Sequence, residues 1–176
     1  MHTTSIFLRK VTIAMAIIFG LGIVVPTHQA VLGTLMVCHG TELVTYSPSL
    51  TLKTEKTSIT IEGTLGPCVS LDTSIVGGSY KSQISNPGLS CLTLLEEERG
   101  EKIIVWNNGK SSTFSFAKTV TNVGGQTITT FKGSITAGEL KGSSVIEVVV
   151  HPTLNILGCI TGGISSVSGA VTLTIL

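Results

Sequence analysis

The feature that most restricts the fold of this chain is an alternation of side chains with a period of two residues. In residues 58–62, for example, Ile59 and Ile61 alternate with polar residues and would share one face of an extended strand. β-Branched residues are abundant in such segments and favour pleated, half-buried strands, whereas the glycines between them indicate turns. No segment has a sustained 3.6-residue apolar period with capping residues, so the chain is predicted to be all-β.

The strongest local prediction is a hairpin. Residues 102–106 and 113–117 flank Asn108-Gly109, and both turn residues tolerate a positive φ. In this hairpin, four large apolar side chains would share one face: Ile104, Trp106, Phe114 and Phe116. Gly124-Gly125 predicts a second hairpin between residues 119–121 and 126–135.

Other segments also have strand character, and Asn86-Pro87-Gly88 predicts a turn between two of them. These segments are residues 42–46, 49–54, 58–62, 79–85, 89–92, 145–151, 154–160 and 170–176. About nine to eleven short strands at this spacing predict one antiparallel β-sandwich or flattened barrel, Ig-like or jelly-roll-like.

The N-terminus has the three-part pattern of an export signal. Arg9 and Lys10 precede an apolar run over residues 11–25, and Pro26 and Ala30 follow it. We therefore predict a signal peptide at 1–30 with an N-terminal signal helix, a short lead at 31–37 and a β domain at 38–176. Cleavage gives a secreted, extracellular protein, whereas retention of the segment gives a membrane-tethered one.

The charge content restricts the classes of partner. Charged residues are 12% of the chain, against about 25% in typical soluble domains. Without Arg9 and Lys10, nine basic and ten acidic residues remain. This near-neutral balance argues against nucleic acid, and against attachment to anionic lipid other than through the N-terminal segment. We predict no cofactor.

Four cysteines follow the predicted signal: Cys38, Cys68, Cys91 and Cys159. Their spacing does not fit a zinc site, which needs ligand pairs two to four residues apart, so no metal site is predicted. An even number of cysteines in an exported chain indicates two disulfides. Of the three pairings, we expect Cys68–Cys91 together with Cys38–Cys159.

Candidate catalytic residues are few. His39 and His151 are the histidines that follow the signal, and no Gly-x-Ser-x-Gly motif accompanies them. Glu147 lies within an apolar strand, on the face of Val145 and Val149. This carboxylate either points to solvent or is buried with a perturbed pKa, and in the second case it could act in a secreted hydrolase.

Two further groups have both a structural and a functional interpretation. Trp106, with Tyr80 and Tyr46, could form a sugar-stacking platform, although a lone tryptophan beside Ile104 is typical of a core. Residues 96–101 contain four glutamates that could bind calcium, but no calcium-loop spacing accompanies them and a solvated turn is the simpler interpretation.

Six short motifs, taken as a set, resemble a family of small secreted bacterial β-rich proteins of unknown function. They are CHGTE at 38–42, YSP at 46–48, LGPCVS at 65–70, PGLSCLTLL at 87–95, WNNG at 106–109 and VGGQT at 123–127. The resemblance implies an exported bacterial domain with disulfides, and it carries over no catalytic residues.

These observations favour a non-enzymatic extracellular or cell-envelope domain with a binding or structural role. Its partner would be an envelope or extracellular glycan or protein. Two alternatives remain: a secreted hydrolase that uses carboxylates such as Glu147, and a glycan-binding module centred on Trp106.

Overall fold

Eight antiparallel strands form a closed barrel within the residues that the computed structural model describes, which are 36–70, 73–95, 98–153 and 156–176. The strands are β1 (Met36–Leu50), β2 (Glu55–Ser70), β3 (Gly78–Leu89), β4 (Glu98–Trp106), β5 (Ser111–Val123), β6 (Gln126–Gly138), β7 (Ser144–Pro152) and β8 (Ile164–Ile175). Each strand pairs with the next along the chain, and β8 pairs with β1 to close the barrel. One short helix, α1 (Ile156–Thr161), precedes β8.

The predicted all-β, antiparallel class is confirmed, and of the two architectures predicted, sandwich or barrel, the molecule has the barrel. β8 hydrogen-bonds to both β7 and β1, so the strands form one continuous wall in place of two facing sheets. The predicted signal helix at 1–30 lies outside the described residues, as does most of the predicted lead. Within the described ranges, no helix is long and apolar enough to cross a membrane.

The strands are fewer and longer than predicted. The segment predicted as a strand at 42–46 lies within β1, which continues to Leu50, whereas only the first two residues of the strand predicted at 49–54 belong to β1. The predicted turn at Asn86-Pro87-Gly88 lies inside β3, and the predicted strand at 154–160 contains part of α1. Local turn residues were therefore a poor guide where neighbouring strands hold the backbone extended.

Both predicted hairpins are present. The backbone turns at residues 107–110 between β4 and β5, where Gly109 has a φ of 80°. Gly124 and Gly125, with φ values of 58° and 77°, form the turn between β5 and β6. These turns require positive φ, which glycine adopts without steric cost, so the sequence identifies them locally.

The barrel interior contains two apolar clusters, one towards each end. The upper end is where β1 begins and β8 finishes, and the lower end is where β1 finishes. The upper cluster contains fifteen described residues: Met36, Cys38, Leu65, Cys68, Ile75, Tyr80, Ile104, Trp106, Phe114, Ile135, Val145, Val149, Val171, Leu173 and Ile175. The lower cluster contains four: Val44, Tyr46, Leu50 and Leu89.

The barrel wall is incomplete along one line, between β3 and β4. These strands pair at three positions near the upper end, the last being Tyr80–Ile104. Below that point β3 still pairs with β2 as far as Leu89, and β4 pairs with β5 from Glu98 onward. We call the interval between residues 81–89 and 98–103 the seam. Ile84 lies opposite the inward-facing Ile59, yet it is 41% exposed because no strand covers it there.

The four cysteines form two disulfides, as predicted, but the predicted pairing was wrong. Cys38 bonds to Cys68, and Cys91 bonds to Cys159. The first pair follows from register, because Cys38 and Cys68 are directly opposite each other on β1 and β2. The second pair joins the segment after β3 to α1. Register is a property of paired strands, and cysteine spacing alone does not reveal it.

Candidate functional site

Five polar side chains lie inside the barrel and form what we call the polar layer: Glu42, Tyr80, Lys102, Glu147 and His151. Each of these residues is at most 9% exposed. On β1, Glu42 is placed between Cys38 of the upper cluster and Val44 of the lower cluster. Ionisable groups are seldom buried this completely unless they are paired, so the layer is the most unusual chemistry in the described interior.

Two glycines create the space that the polar layer occupies. Gly63 is opposite Glu42 on one side and Tyr80 on the other, and a Cβ atom at position 63 would lie within the Tyr80 ring. Gly169 faces Glu42 from β8, and a Cβ atom there would collide with the His151 ring. Tyr80 and His151 therefore lean across these glycines towards Glu42 from opposite sides.

The Tyr80 hydroxyl connects the two carboxyl groups. Its oxygen is 2.8 Å from Oε2 of Glu42 and 3.0 Å from Oε1 of Glu147, within hydrogen-bond distance of both. The other oxygen of Glu147, Oε2, accepts a 2.6 Å hydrogen bond from Nζ of Lys102. Strands β1, β3, β4 and β7 are thus joined through a single buried chain of polar groups.

Aromatic rings surround the Lys102 ammonium group. Nζ lies 4.3 Å from the centroid of the Tyr80 ring and 4.4 Å from that of Phe131. Both distances are within the range of cation–π attraction, which strengthens when water is excluded. The buried charge of Lys102 is therefore stabilised by Glu147 and by ring faces together.

His151 lies beside this series of hydrogen-bonded groups without a hydrogen bond to Glu42. Its Nε2 lies 3.9 Å from Oε1 of Glu42, which is too long for a hydrogen bond. Among the described residues, Nδ1 of His151 is the one buried side-chain polar atom without a hydrogen-bond partner.

Burial raises the pKa of two residues of the polar layer and of one tyrosine near it. Burial raises the pKa of Glu42 despite the opposing effects of the Lys102 charge and the Tyr80 hydrogen bond. Burial also raises the pKa of Tyr80, and the charges of Glu147 and Glu42 add to this effect. Tyr46, four residues after Glu42 on the inward face of β1, has its pKa raised to about 12 by burial and then by the Glu42 charge.

The structure places the residues singled out from sequence in two different environments. Tyr80 and Glu147 meet in the polar layer. Trp106 is 2% exposed in the upper cluster, where its Nε1 donates a 2.8 Å hydrogen bond to Ser112. This position matches the core interpretation of Trp106 and offers no support for a stacking platform.

The glutamate-rich segment at 96–101, considered above as a calcium site, lies only partly within the described residues. Glu96 and Glu97 lie outside the described residues, whereas Glu98 forms a 3.0 Å ion pair with Lys118. Across the part of the chain that the structure describes, no group of three His, Cys, Asp or Glu side chains could hold a metal ion.

Sequence reasoning missed Glu42 and Lys102 as site residues. The alternation pattern nevertheless pointed to both residues. Lys102 shares the face of Ile104 and Trp106 in the predicted hairpin, and Glu42 shares the face of Val44 and Tyr46. A charged residue at an inward position of an alternating strand indicates a buried polar site, provided that the inward face is known.

A groove lies on the outside of the barrel, over β1 to β4, and we call it the outer groove. Its volume is about 760 Å³. Three exposed apolar side chains border it, Leu43, Ile103 and Val105, and an ion pair between Lys81 and Glu62 lies at the same surface. Atoms of Glu42 and Tyr80 also border this groove, so it adjoins the polar layer.

Comparison with protein-family models, with curated proteins and with solved structures finds no match to this chain.

Proposed function

We propose that this chain is an exported, non-enzymatic binding domain whose contact surface is the outer groove. The observation that carries this proposal is the contrast between two kinds of surface. The ionisable groups of the polar layer are buried and mostly paired with one another, whereas Leu43 on β1 and Ile103 and Val105 on β4 are exposed to solvent on the two sides of the groove. Large exposed apolar side chains that border one groove are typical of interaction sites.

Three observations support action outside the cytoplasm. Two disulfides fit an oxidising compartment, because the cytoplasm keeps most thiols reduced. The pattern of Arg9-Lys10, the apolar run and Pro26 is that of a secretory signal. The resemblance to small secreted bacterial β-rich proteins has the same implication.

The seam favours a protein partner over a glycan. Residues 81–89 of β3 and 98–103 of β4 have no strand pairing on the sides that border the seam. Free main-chain donors and acceptors at a strand edge can pair with an extended peptide, and pockets beside the edge then select its side chains. Ile103 belongs to both the seam and the outer groove, so one peptide segment could use both.

A matched pair of variants tests this proposal. Ile103→Lys places a charge in the outer groove, while Val123→Lys places the same charge at an exposed apolar position at the end of β5. We expect wild type and Val123→Lys to cosediment equally with cell envelopes of the producing organism, and Ile103→Lys to bind at least about tenfold more weakly.

Two outcomes would count against the outer groove. Equal binding of all three proteins would place the contact surface elsewhere. If none of them binds envelopes or extracellular proteins, the binding function itself is rejected. Circular dichroism of both variants, expected to equal that of wild type, excludes unfolding as the cause.

A hydrolase is the second candidate, because the structure brings two carboxyl groups together. Glu42 and Glu147 both lie within 3.0 Å of the Tyr80 oxygen, one with a raised pKa and the other paired with Lys102. Carboxyl groups with contrasting environments are the usual acid–base pair of such enzymes. Their exposures of 5% and 0% oppose this function, since a substrate must reach them.

A substrate screen separates the two candidates. Polysaccharide, ester and peptide substrates are incubated with wild type, with Glu147→Gln and with Glu139→Gln, whose glutamate lies at the surface in an ion pair with Lys110. A hydrolase requires turnover by wild type and Glu139→Gln that Glu147→Gln lacks. No turnover by wild type on any substrate supports the binding domain.

A further inference from the structure

We infer that the folded barrel has a buried proton-binding site: Glu42 holds a proton under conditions in which exposed glutamates are ionised, and donates it to Tyr80. The result is a directed chain in which the Glu42 carboxyl donates to the Tyr80 oxygen and the Tyr80 hydroxyl donates to Glu147. This property is independent of the outer groove and of any catalytic role.

This inference follows from the number of hydrogen atoms available to the two contacts between Tyr80 and the carboxyl groups. The Tyr80 oxygen is 2.8 Å from one carboxyl oxygen and 3.0 Å from another, and both contacts are buried. A phenol has one hydrogen to donate, so two ionised carboxylates would leave one of these contacts with no hydrogen between two oxygens. Because such a contact is repulsive at low dielectric, one of the two carboxyl groups must supply the second hydrogen.

The position of Lys102 decides which carboxyl group this is. Its Nζ donates to Glu147 at 2.6 Å, and no more than 8% of the lysine side chain is exposed. A buried ammonium group needs a counter-charge, and Glu147 is the carboxylate that contacts it. Glu147 therefore supplies the counter-charge to Lys102, and the second hydrogen belongs to Glu42.

Five other titratable groups among the described residues face Glu42, and burial outweighs the Lys102 and His151 charges that favour its ionised form. They are Tyr46 on its own strand, Tyr80 on β3, Lys102 on β4, and Glu147 and His151 on β7. β2 and β8 contribute Gly63 and Gly169 at the facing positions.

His151 is the alternative holder of the proton, and the geometry disfavours it. A doubly protonated ring would place an N–H group at the buried Nδ1, which has no acceptor among the described residues. Its Nε2 is 3.9 Å from Glu42, so a charged ring would also lack a hydrogen bond there. A neutral ring with a bare Nδ1 avoids the buried unpaired donor.

Proton binding couples folding to pH. In the unfolded chain, Glu42 ionises at the ordinary glutamate value, whereas burial raises its pKa in the barrel. The contribution of Glu42 to stability is therefore complete below the ordinary value and is lost as pH rises through the raised one. A protein that works outside the cytoplasm would thus be stabilised by mild acid.

Two isosteric variants test the assignment, because each replaces a carboxyl group by an amide of the same shape. In Glu42→Gln the amide NH₂ can donate to Tyr80 as the protonated acid does, so the folding equilibrium at pH 7 should change by less than about tenfold. In Glu147→Gln the Lys102 charge loses its partner, and the folding equilibrium should fall by about a thousandfold. Glu139→Gln, outside the outer groove and the seam, is the control and should resemble wild type.

The wild-type protein supplies a second measurement that does not depend on variants that fold. A carbon NMR titration of the side-chain carboxyls should show Glu42 still protonated at pH values above the ordinary glutamate range. The assignment is overturned if Glu42 titrates within the ordinary glutamate range. It is also overturned if Glu42→Gln destabilises the barrel as much as Glu147→Gln.

Discussion

The upper and lower halves of the barrel are built from the same alternating strands, yet they differ in how completely they are enclosed. The upper cluster joins fifteen buried residues, and every neighbouring pair of strands is hydrogen-bonded there. The lower cluster joins four, and partly buried residues such as Ile59 and Ile164 surround it. The seam opens in this lower half.

The difference shows that alternation specifies a strand but not a closed wall. A strand face is buried only where a neighbour covers it, and the ladder between β3 and β4 ends at Tyr80–Ile104. The polar layer lies near this boundary, where Lys102 is one of the first residues of β4 below the paired segment. The two halves therefore differ in stability, and three measurements can test that difference.

The largest expected difference comes from large-to-small substitutions in the two clusters. Phe114→Ala, in the upper cluster, should lower the free energy of unfolding by up to about 5 kcal/mol, because the closed wall cannot collapse into the cavity. Leu89→Ala, in the lower cluster beside the seam, should cost about 2 kcal/mol because its surroundings can rearrange. Chemical denaturation measures both values. Equal costs would mean that the lower half is packed as tightly as the upper.

The disulfides offer a second comparison. Cys91–Cys159 closes a separation of 68 residues and Cys38–Cys68 one of 30 residues. Replacing both cysteines of either disulfide by alanine should lower the free energy of unfolding by about 4 kcal/mol. The loss should be slightly larger for the disulfide that closes the longer loop. The location of the effect should differ more than its size. Without Cys91–Cys159, amide hydrogen exchange should quicken in the lower half, near α1 and the end of β3.

Amides of the upper ladder provide the internal control for that experiment. Those of β1 and β2 near Cys38–Cys68 should keep the protection that they have in wild type. If exchange quickens equally throughout the barrel, the two halves unfold as one unit and their proposed difference is incorrect.

The smallest expected effect concerns alkaline pH and Tyr46 of the lower cluster. The pKa of Tyr46 is about 12 in the barrel and about 10 in an unfolded chain. Its contribution to the free energy of unfolding is therefore fully present below pH 10. As pH rises from about 10 to about 12, the barrel should lose about 2–3 kcal/mol from this residue. Tyr46→Phe should remove this loss, which urea unfolding at several pH values would show. Parallel pH profiles for wild type and Tyr46→Phe would contradict it.

The site illustrates which structural information the sequence contains and which it lacks. Alternation correctly placed Glu147 on the face of Val145 and Val149, and that face proved to be the interior. It did not identify the interior face, since both faces of residues 145–150 carry apolar side chains. Glu42, Lys102 and Glu147 are more than 40 residues apart in sequence, and barrel closure alone brings them together.

The sequence by itself determined the all-β class, the glycine turns at 109 and 124–125, and the participation of all four cysteines in disulfides. These features depend on local backbone preferences and on the chemistry of single residue types. The tertiary structure alone decided closure into a barrel, the pairing of Cys38 with Cys68, and the meeting of two carboxyl groups at Tyr80. Each of these depends on strand register, which is set by packing between segments distant in the chain.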